Sequence, residues 1–198
     1  MEQLISNEII TYNPFADIDG DGDLDLMSAS VGDDKIAWYE NDGSQNFTEH
    51  EVSTSADGAI TVFAVDVDGD GDIDILSASY FDNKIAWYEN DGASSPGFTK
   101  RIICGTNMVG AHGLVTGDID GDSDIDIIAG GWAIIDNSNT GVIVLCRNDG
   151  GFRSRAGITK VIWRLIVIKG EGRGEAGDPT AAENQKCAYW KSHCLPIR

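Results

Sequence analysis

An acidic stretch that occurs three times constrains the fold of this chain more than any other feature. Asp17 opens the segment DIDGDGDLDLMSASVGDDKIAWYENDG, and Asp66 opens a second copy, DVDGDGDIDILSASYFDNKIAWYENDG, with 20 of the 27 positions identical. A third copy starts at Asp118 as DIDGDSDIDIIAGG and rejoins the pattern at VIVLCRNDG. The copies are 49 and 52 residues apart, which predicts one supersecondary unit per repeat.

Each repeat is long enough for four short strands. In the second copy, β-branched and aromatic residues cluster at 61–67, 73–80, 84–89 and 98–104, and turn-forming residues separate the clusters. No stretch of ten or more residues within 1–150 has a convincing 3.6-residue periodicity. We therefore predict an all-β fold.

The predicted strands do not alternate cleanly between apolar and polar residues. Ile36, Ala37, Trp38 and Tyr39 follow one another, which is typical of strands that are covered on both faces. The pattern favours four-stranded blades of the β-propeller type, and a two-layer sandwich is the alternative. Because propellers normally have at least four blades, we expect three repeats to be part of a larger propeller.

The acidic loops at 17–25, 66–74 and 118–126 have the composition of a cation site. Carboxylates occupy loop positions 1, 3, 5 and 9, and position 7 can offer a backbone carbonyl. Calcium takes six to eight oxygen ligands in a flexible geometry, whereas clustered carboxylates repel one another without a cation. We predict up to three calcium ions, one per loop, with ligands drawn from Asp17, Asp19, Asp21, Asp23, Asp25, Asp66, Asp68, Asp70, Asp72, Asp74, Asp118, Asp120, Asp122, Asp124 and Asp126.

Other interpretations of the loops fit less well. Magnesium demands octahedral geometry, and the loops hold no His or Cys for a transition metal. An EF-hand needs a glutamate at position 12, where this chain has Ser28, Ser77 and Ala129. A solvated acidic turn remains the alternative. Ser123 replaces the glycine at position 6, and a left-handed serine costs on the order of 1 kcal/mol, so we expect the third site to be the weakest.

Charge divides the chain into two parts. Residues 1–150 carry 29 Asp and Glu against 5 Lys and Arg, whereas residues 151–198 carry 4 against 9. We predict a repeat domain over 1–155 and a divergent basic tail over 156–198, for which a truncated or out-of-frame gene is favoured over a genuine extra segment. The net charge of −19 argues against nucleic acid or an anionic membrane as a partner.

Targeting and cysteine signals are weak. No apolar run approaches the roughly 20 residues that cross a bilayer, and the first residues lack the pattern of a signal peptide. Cys187, His193 and Cys194 match no standard zinc spacing. The four cysteines, Cys104, Cys146, Cys187 and Cys194, fit no disulfide-dense pattern, so they do not indicate the redox compartment.

Aromatic and histidine residues favour structural roles. Trp38 and Trp87 occupy equivalent places where the third copy has Leu145, which favours packing between repeats over sugar stacking. Trp132 lies in an insertion that lengthens a loop of the third repeat by six residues; a tolerated insertion is favoured over a partner-binding loop. His112 fits a turn better than a catalytic site. No activated serine, phosphate loop or acid–base pair is present, so we expect no enzyme activity.

The motifs Asp-x-Asp-Gly-Asp-Gly-Asp-x-Asp-Leu/Ile and Lys-Ile-Ala-Trp-Tyr-Glu-Asn-Asp-Gly resemble the FG-GAP/VCBS-type repeats of bacterial secreted proteins, which are related to the repeats of the integrin α-subunit propeller. The resemblance covers roughly residues 10–155. It implies about seven blades in a ring, calcium in the blade loops, and display outside the cell. Members serve in adhesion, in carbohydrate binding, or as accessory domains of exported enzymes.

These expectations describe a calcium-binding propeller segment that acts as an extracellular binding or adhesion module, with calcium in a structural role. Its partner would be a glycan or protein at the cell exterior, and open blade edges would permit self-association. The alternative is a non-catalytic accessory portion of a larger exported hydrolase or other enzyme.

Overall fold

The fold is all-β over the residues that the computed structural model describes, which are 14–104, 109–135, 138–148 and 163–169. Within these ranges there is no helix, and hence none that could cross a membrane. The strands are β1 (Phe15–Ala16), β2 (Asp25–Ser30), β3 (Lys35–Asn41), β4 (Phe47–Ser53), β5 (Ala59–Val65), β6 (Asp74–Ser79), β7 (Lys84–Asn90), β8 (Phe98–Cys104), β9 (Val109–Gly117), β10 (Asp126–Ile135), β11 (Ser138–Asn148) and β12 (Trp163–Lys169).

The strands form three separate antiparallel sheets, one per repeat. β1–β4, β5–β8 and β9–β12 each make a four-stranded sheet in which neighbours in sequence are neighbours in space. We call these sheets blades 1, 2 and 3. One sheet for each repeat does not match a two-layer sandwich, and it agrees with the four strands predicted per copy.

Apolar side chains from successive blades meet in shared cores, as strands covered on both faces require. Trp38 and Trp87 are almost fully buried, with 3% and 1% of their surface exposed, so their predicted packing role is confirmed. The core between blades 1 and 2 includes Met27, Ala29, Ile36, Trp38, Ala59, Val62, Ala64, Ile75, Ala86 and Tyr88. The core between blades 2 and 3 includes Leu76, Ala78, Ile85, Trp87, Ala111, Leu114, Ile127, Ala129, Val144 and Cys146.

Tight turns also connect each blade to the next. The turn between β2 and β3 ends at Asp34, whose Oδ1 accepts a hydrogen bond of 2.8 Å from the Gly58 N–H at the start of blade 2. The equivalent Asn83 accepts one of 2.6 Å from the Gly110 N–H of blade 3. Both turn residues have a positive φ, 60° and 61°, which Asn and Asp tolerate better than most residues. The turns therefore fix the position of the following blade.

Blade 3 departs from the sequence prediction in two respects. The insertion around Trp132 does not form a longer loop, because it extends β10 and β11 into a hairpin paired as far as Ile135 and Ser138. β12 lies beyond residue 155, where we placed the end of the repeat domain, and it pairs with β11 from Asn148 to Val142. Seven residues of the predicted basic tail thus belong to the third sheet. The zinc-like cluster of Cys187, His193 and Cys194 lies outside the described residues.

The face of blade 3 that points away from blade 2 is exposed and apolar. Val115, Ile119 and Ile143 have 61%, 51% and 48% of their surface exposed. Val67 and Ile85, the counterparts of Ile119 and Ile143 in blade 2, have 2% and 0% exposed because blade 3 covers them. The same repeat position is therefore a core position in blade 2 and a surface position in blade 3.

This difference predicts unequal effects for one substitution at two equivalent sites. Ile85→Ala removes buried methylenes from the core between blades 2 and 3 and should lower the free energy of unfolding by about 2–5 kcal/mol. Ile143→Ala, the matched control on the exposed face, should change it by less than about 1 kcal/mol. Urea unfolding of both variants checks this, and equal losses would contradict the assignment of the interblade core.

Candidate metal centre

Each acidic loop curls around the carboxylate at position 1. Oδ2 of this aspartate accepts the N–H of the residue at position 6, at 3.0 Å in all three loops. The aspartates at positions 3 and 5 each accept the N–H of the residue two places later, at 2.8 to 3.3 Å. Because the three loops repeat these bonds, the curl is a property of the motif. The pairs at positions 6 and 1 are Gly22 and Asp17, Gly71 and Asp66, and Ser123 and Asp118.

The residue at position 6 has a left-handed backbone in every loop. The φ angle is 97° at Gly22, 101° at Gly71 and 76° at Ser123. Glycine adopts this conformation without strain, whereas a side chain makes it costly. The expectation that Ser123 takes up a left-handed conformation is confirmed.

The curl brings three carboxylates together in each loop. One oxygen from each lies within 4.8 Å of the others among Asp17, Asp19 and Asp25, among Asp66, Asp68 and Asp70, and among Asp118, Asp120 and Asp122. Two oxygens bound to one calcium ion at about 2.4 Å can be no more than about 4.8 Å apart. The separations are compatible with a shared calcium ion, and the remaining predicted ligands, Asp21, Asp23, Asp72, Asp74, Asp124 and Asp126, fall outside these triplets.

The donor atoms themselves fit a hard cation. Oδ1 of Asp17 is buried and accepts no hydrogen bond, although Oδ2 of the same carboxylate accepts one. A buried carboxylate oxygen without a partner is costly, and a cation at the loop centre would satisfy it. The ligands on offer are carboxylate oxygens, which calcium prefers.

Burial and mutual repulsion disfavour the ionised aspartates. Burial, followed by repulsion from Asp70, raises the pKa of Asp68 to about 6. Burial raises the pKa of Asp74 to about 8 in spite of two backbone hydrogen bonds. Burial also raises the pKa values of Asp19 and Asp72. A divalent cation would remove this penalty, since it favours the charged carboxylates.

The aspartate at position 9 has a structural role that the sequence did not reveal. Asp25, Asp74 and Asp126 have 0–1% of their surface exposed. One oxygen of Asp74 accepts the N–H of Val67 at 3.0 Å, and the other accepts the N–H of Asn90 at 2.8 Å. Asp25 and Asp126 accept the equivalent pairs of N–H groups at 2.7 to 3.0 Å. This carboxylate therefore joins the loop to the end of the third strand of its own blade.

The aspartate at position 7 faces a different partner. The side chains of Asp23 and Asp72 lie against Gly43 and Gly92, the glycines of the two Asn-Asp-Gly turns, where an added Cβ would overlap their carboxylates. Both glycines also have a positive φ. The positive φ and the close carboxylate both favour glycine at this turn. Because the carboxylate at position 7 points toward the turn, the backbone carbonyl of position 7 is the remaining predicted ligand atom of this residue.

The asparagine of the Asn-Asp-Gly turn joins each loop to the preceding one. Nδ2 of Asn90 donates to the carbonyls of Ile73 in its own loop and Ile18 in the loop of blade 1, both at 3.0 Å. Asn148 repeats the second bond to Val67 of blade 2, at 3.3 Å. Sequence reasoning missed this role, although recurrence of Asn at one place in all three copies was the available signal.

Mutating one aspartate of each kind in chelator tests whether position 9 has a structural role that does not depend on calcium. Asp74→Ala leaves the N–H groups of Val67 and Asn90 without an acceptor and should cost about 2–4 kcal/mol of unfolding free energy even in chelator. The exposed Asp70 is the matched control, and Asp70→Ala in chelator should change stability by less than about 0.5 kcal/mol. Urea unfolding in chelator measures both, and similar losses would contradict the structural role of position 9.

Comparison with known proteins agrees with this geometry. A family profile described as FG-GAP-like repeat matches the chain at residues 17–77 and 66–129, which together span more than half of it. Searches of curated proteins and of solved structures found no match. Each matched segment runs from one acidic loop through the next loop to the strand that follows it. The chain belongs to the FG-GAP-like repeat family.

Proposed function

We propose that this chain is a calcium-stabilised array of β-propeller-type blades that serves as a binding or adhesion module outside the cell. The observation that carries the proposal is the convergence of three carboxylates within the acidic loop of each repeat, always including those at loop positions 1 and 3. All the ligand atoms that these carboxylates offer are oxygens, which calcium prefers. Oδ1 of Asp17 is buried and has no hydrogen-bond partner.

Calcium has a structural role in this proposal. Each loop connects the first two strands of a blade, and the carboxylate at position 9 joins it to the end of the third. An ion held by the three converging carboxylates of a loop would neutralise charge that burial and repulsion disfavour. An ion that binds only the folded form adds stability by mass action.

One structural feature supports a location outside the cell. Cys146 is buried between blades 2 and 3 and is disulfide-bonded. Disulfides persist in oxidising compartments. Extracellular calcium-binding modules work at about 10⁻⁴–10⁻³ M, which suits surroundings rich in the ion.

An exposed aromatic pair supports contact with a glycan or protein. Tyr80 and Phe81, in the turn between β6 and β7, have 38% and 60% of their surface exposed, and their rings pack edge to face at 5.5 Å. Aromatic rings that remain in water at a turn provide apolar contact area for a ligand.

The central proposal predicts a calcium-specific gain in thermal stability. With about 10 mM calcium and dissociation constants of about 10⁻⁴–10⁻³ M, each ion adds about 1.4–2.7 kcal/mol. Two or three ions should therefore raise the unfolding midpoint by about 5–30 °C over chelator, as measured by circular dichroism. The same concentration of magnesium, the control, should raise it much less. A cooperative transition at one temperature in all three conditions would contradict the proposal.

The exposed face of blade 3 supports self-association, with a second copy of the chain as the occupant. In blade 2 the equivalent face is already an interface with the next blade. We expect sedimentation velocity to show association that increases with protein concentration. Replacing Val115 and Ile143 together by lysine should abolish it, whereas lysine at the exposed Leu24, on blade 1, should not. A wild-type chain that stays monomeric at all concentrations would contradict this part.

A further inference from the structure

One position beside the acidic loop reverses its charge in blade 3. The residue before the Asn-Asp-Gly turn is Glu40 in blade 1, Glu89 in blade 2 and Arg147 in blade 3. The three residues occupy equivalent places in β3, β7 and β11, one before the asparagine whose N–H binds the buried aspartate. Blades 1 and 2 thus place an acid here, and blade 3 places a guanidinium.

The charge at this position acts on the aspartate at loop position 3. Burial is the largest cause that raises the pKa values of Asp19, Asp68 and Asp120; the charges of Glu40 and Glu89 add to the rise at Asp19 and Asp68, whereas the charge of Arg147 opposes it at Asp120. In blades 1 and 2 the glutamate also pairs with a side chain on the outer strand: Glu40 with His50 at 2.7 Å, and Glu89 with Arg101. The electrostatic environment of the aspartate at loop position 3 therefore depends on the charge of the residue before the Asn-Asp-Gly turn.

In blade 3 the guanidinium reaches the loop itself. Nη2 of Arg147 forms an ion pair with Oδ2 of Asp120. Asp120 is one of the three carboxylates that converge in this loop, together with Asp118 and Asp122. Both side chains of the pair are partly buried, with 35% and 20% of their surface exposed. Arg147 thus occupies a carboxylate of the triplet and places a positive charge beside the other two.

We propose that Arg147 is the built-in counter-ion of the third loop, so that this loop stays free of calcium at concentrations that fill the other two. The inference rests on the proposed calcium binding of the first two loops. A calcium ion at the third loop would have to displace the guanidinium from Asp120 or bind beside it. The difference between a negative and a positive neighbour, acting on a divalent ion about 6–8 Å away, amounts to a roughly 30–100-fold change in affinity.

The left-handed Ser123 acts in the same direction, since the other two loops have glycine there. The effect of the Arg147 charge can be tested separately from the effect of the Ser123 backbone, because Ser123→Gly leaves the ion pair between Arg147 and Asp120 in place. We expect this variant to leave the number of bound ions unchanged. In this proposal Arg147, rather than Ser123, decides whether the third loop binds an ion.

Calorimetric calcium titration with parallel equilibrium dialysis tests the proposal on the full chain. The wild type should bind two ions at millimolar calcium. Arg147→Glu, which installs the residue of the other blades, should bind a third ion. Arg147→Gln, which removes the charge without adding an acid, should bind a third ion about tenfold more weakly than Arg147→Glu does. In the converse variant, Glu40→Arg, the first loop should lose its ion.

The outcomes separate this inference from the function on which it rests. A wild type that binds three ions of similar affinity overturns the inference alone and leaves the calcium function standing. Arg147→Glu and Arg147→Gln that fold, as judged by circular dichroism, but still bind two ions also overturn it. A wild type that binds no calcium overturns the proposed function and this inference with it.

Discussion

The buried carboxylate at loop position 9 is the interaction on which each blade depends. In all three repeats it receives the N–H of loop position 2 on one oxygen and the N–H of the turn asparagine on the other. An aspartate with almost no exposed surface is expensive unless its oxygens are satisfied. Here the two bonds join the acidic loop to the far end of the third strand, so the loop and the sheet order together.

The backbone of loop position 2 also takes part in hydrogen bonds between blades. The residue at loop position 2, such as Val67, donates its N–H to the aspartate of its own blade and offers its carbonyl to Asn148 of the next. At the opposite end of the sheet, Asn83 of blade 2 accepts the N–H of Gly110 in blade 3. Because each blade contacts its neighbours through such repeated bonds and a shared core, stability spreads from one repeat to the next, as in other repeat proteins.

Much of the fold and of the loop chemistry could be predicted, because both follow from local pattern. Strand β8 has the predicted bounds, and the burial of Trp87 followed from its recurrence. The bond from Asn148 to Val67 could not be predicted, since it joins residues 81 apart that only stacking of the blades brings together. β12 was missed because its segment lies outside the repeated motif and pairs only with the long strand β11. The charge reversal at Arg147 was visible in the sequence, but its contact with Asp120 required the structure.

The aspartates of a loop have separate structural and charge-balancing roles, and this separation explains how one loop can differ from the others in its cation. Position 9 holds the loop to the sheet through backbone N–H groups, whereas the carboxylates at positions 1, 3 and 5 accept the hydrogen bonds that curl the loop. The carboxylates at positions 1 and 3 lie close together, and a nearby cation favours their charged form. That cation can be a side chain of the protein or a bound ion. A protein guanidinium supplies the charge permanently, whereas calcium supplies it only where the ion is abundant. If Arg147 is the counter-ion of the third loop, as we propose, blade 3 would stay ordered when calcium is scarce and would give blade 2 a formed surface to pack against.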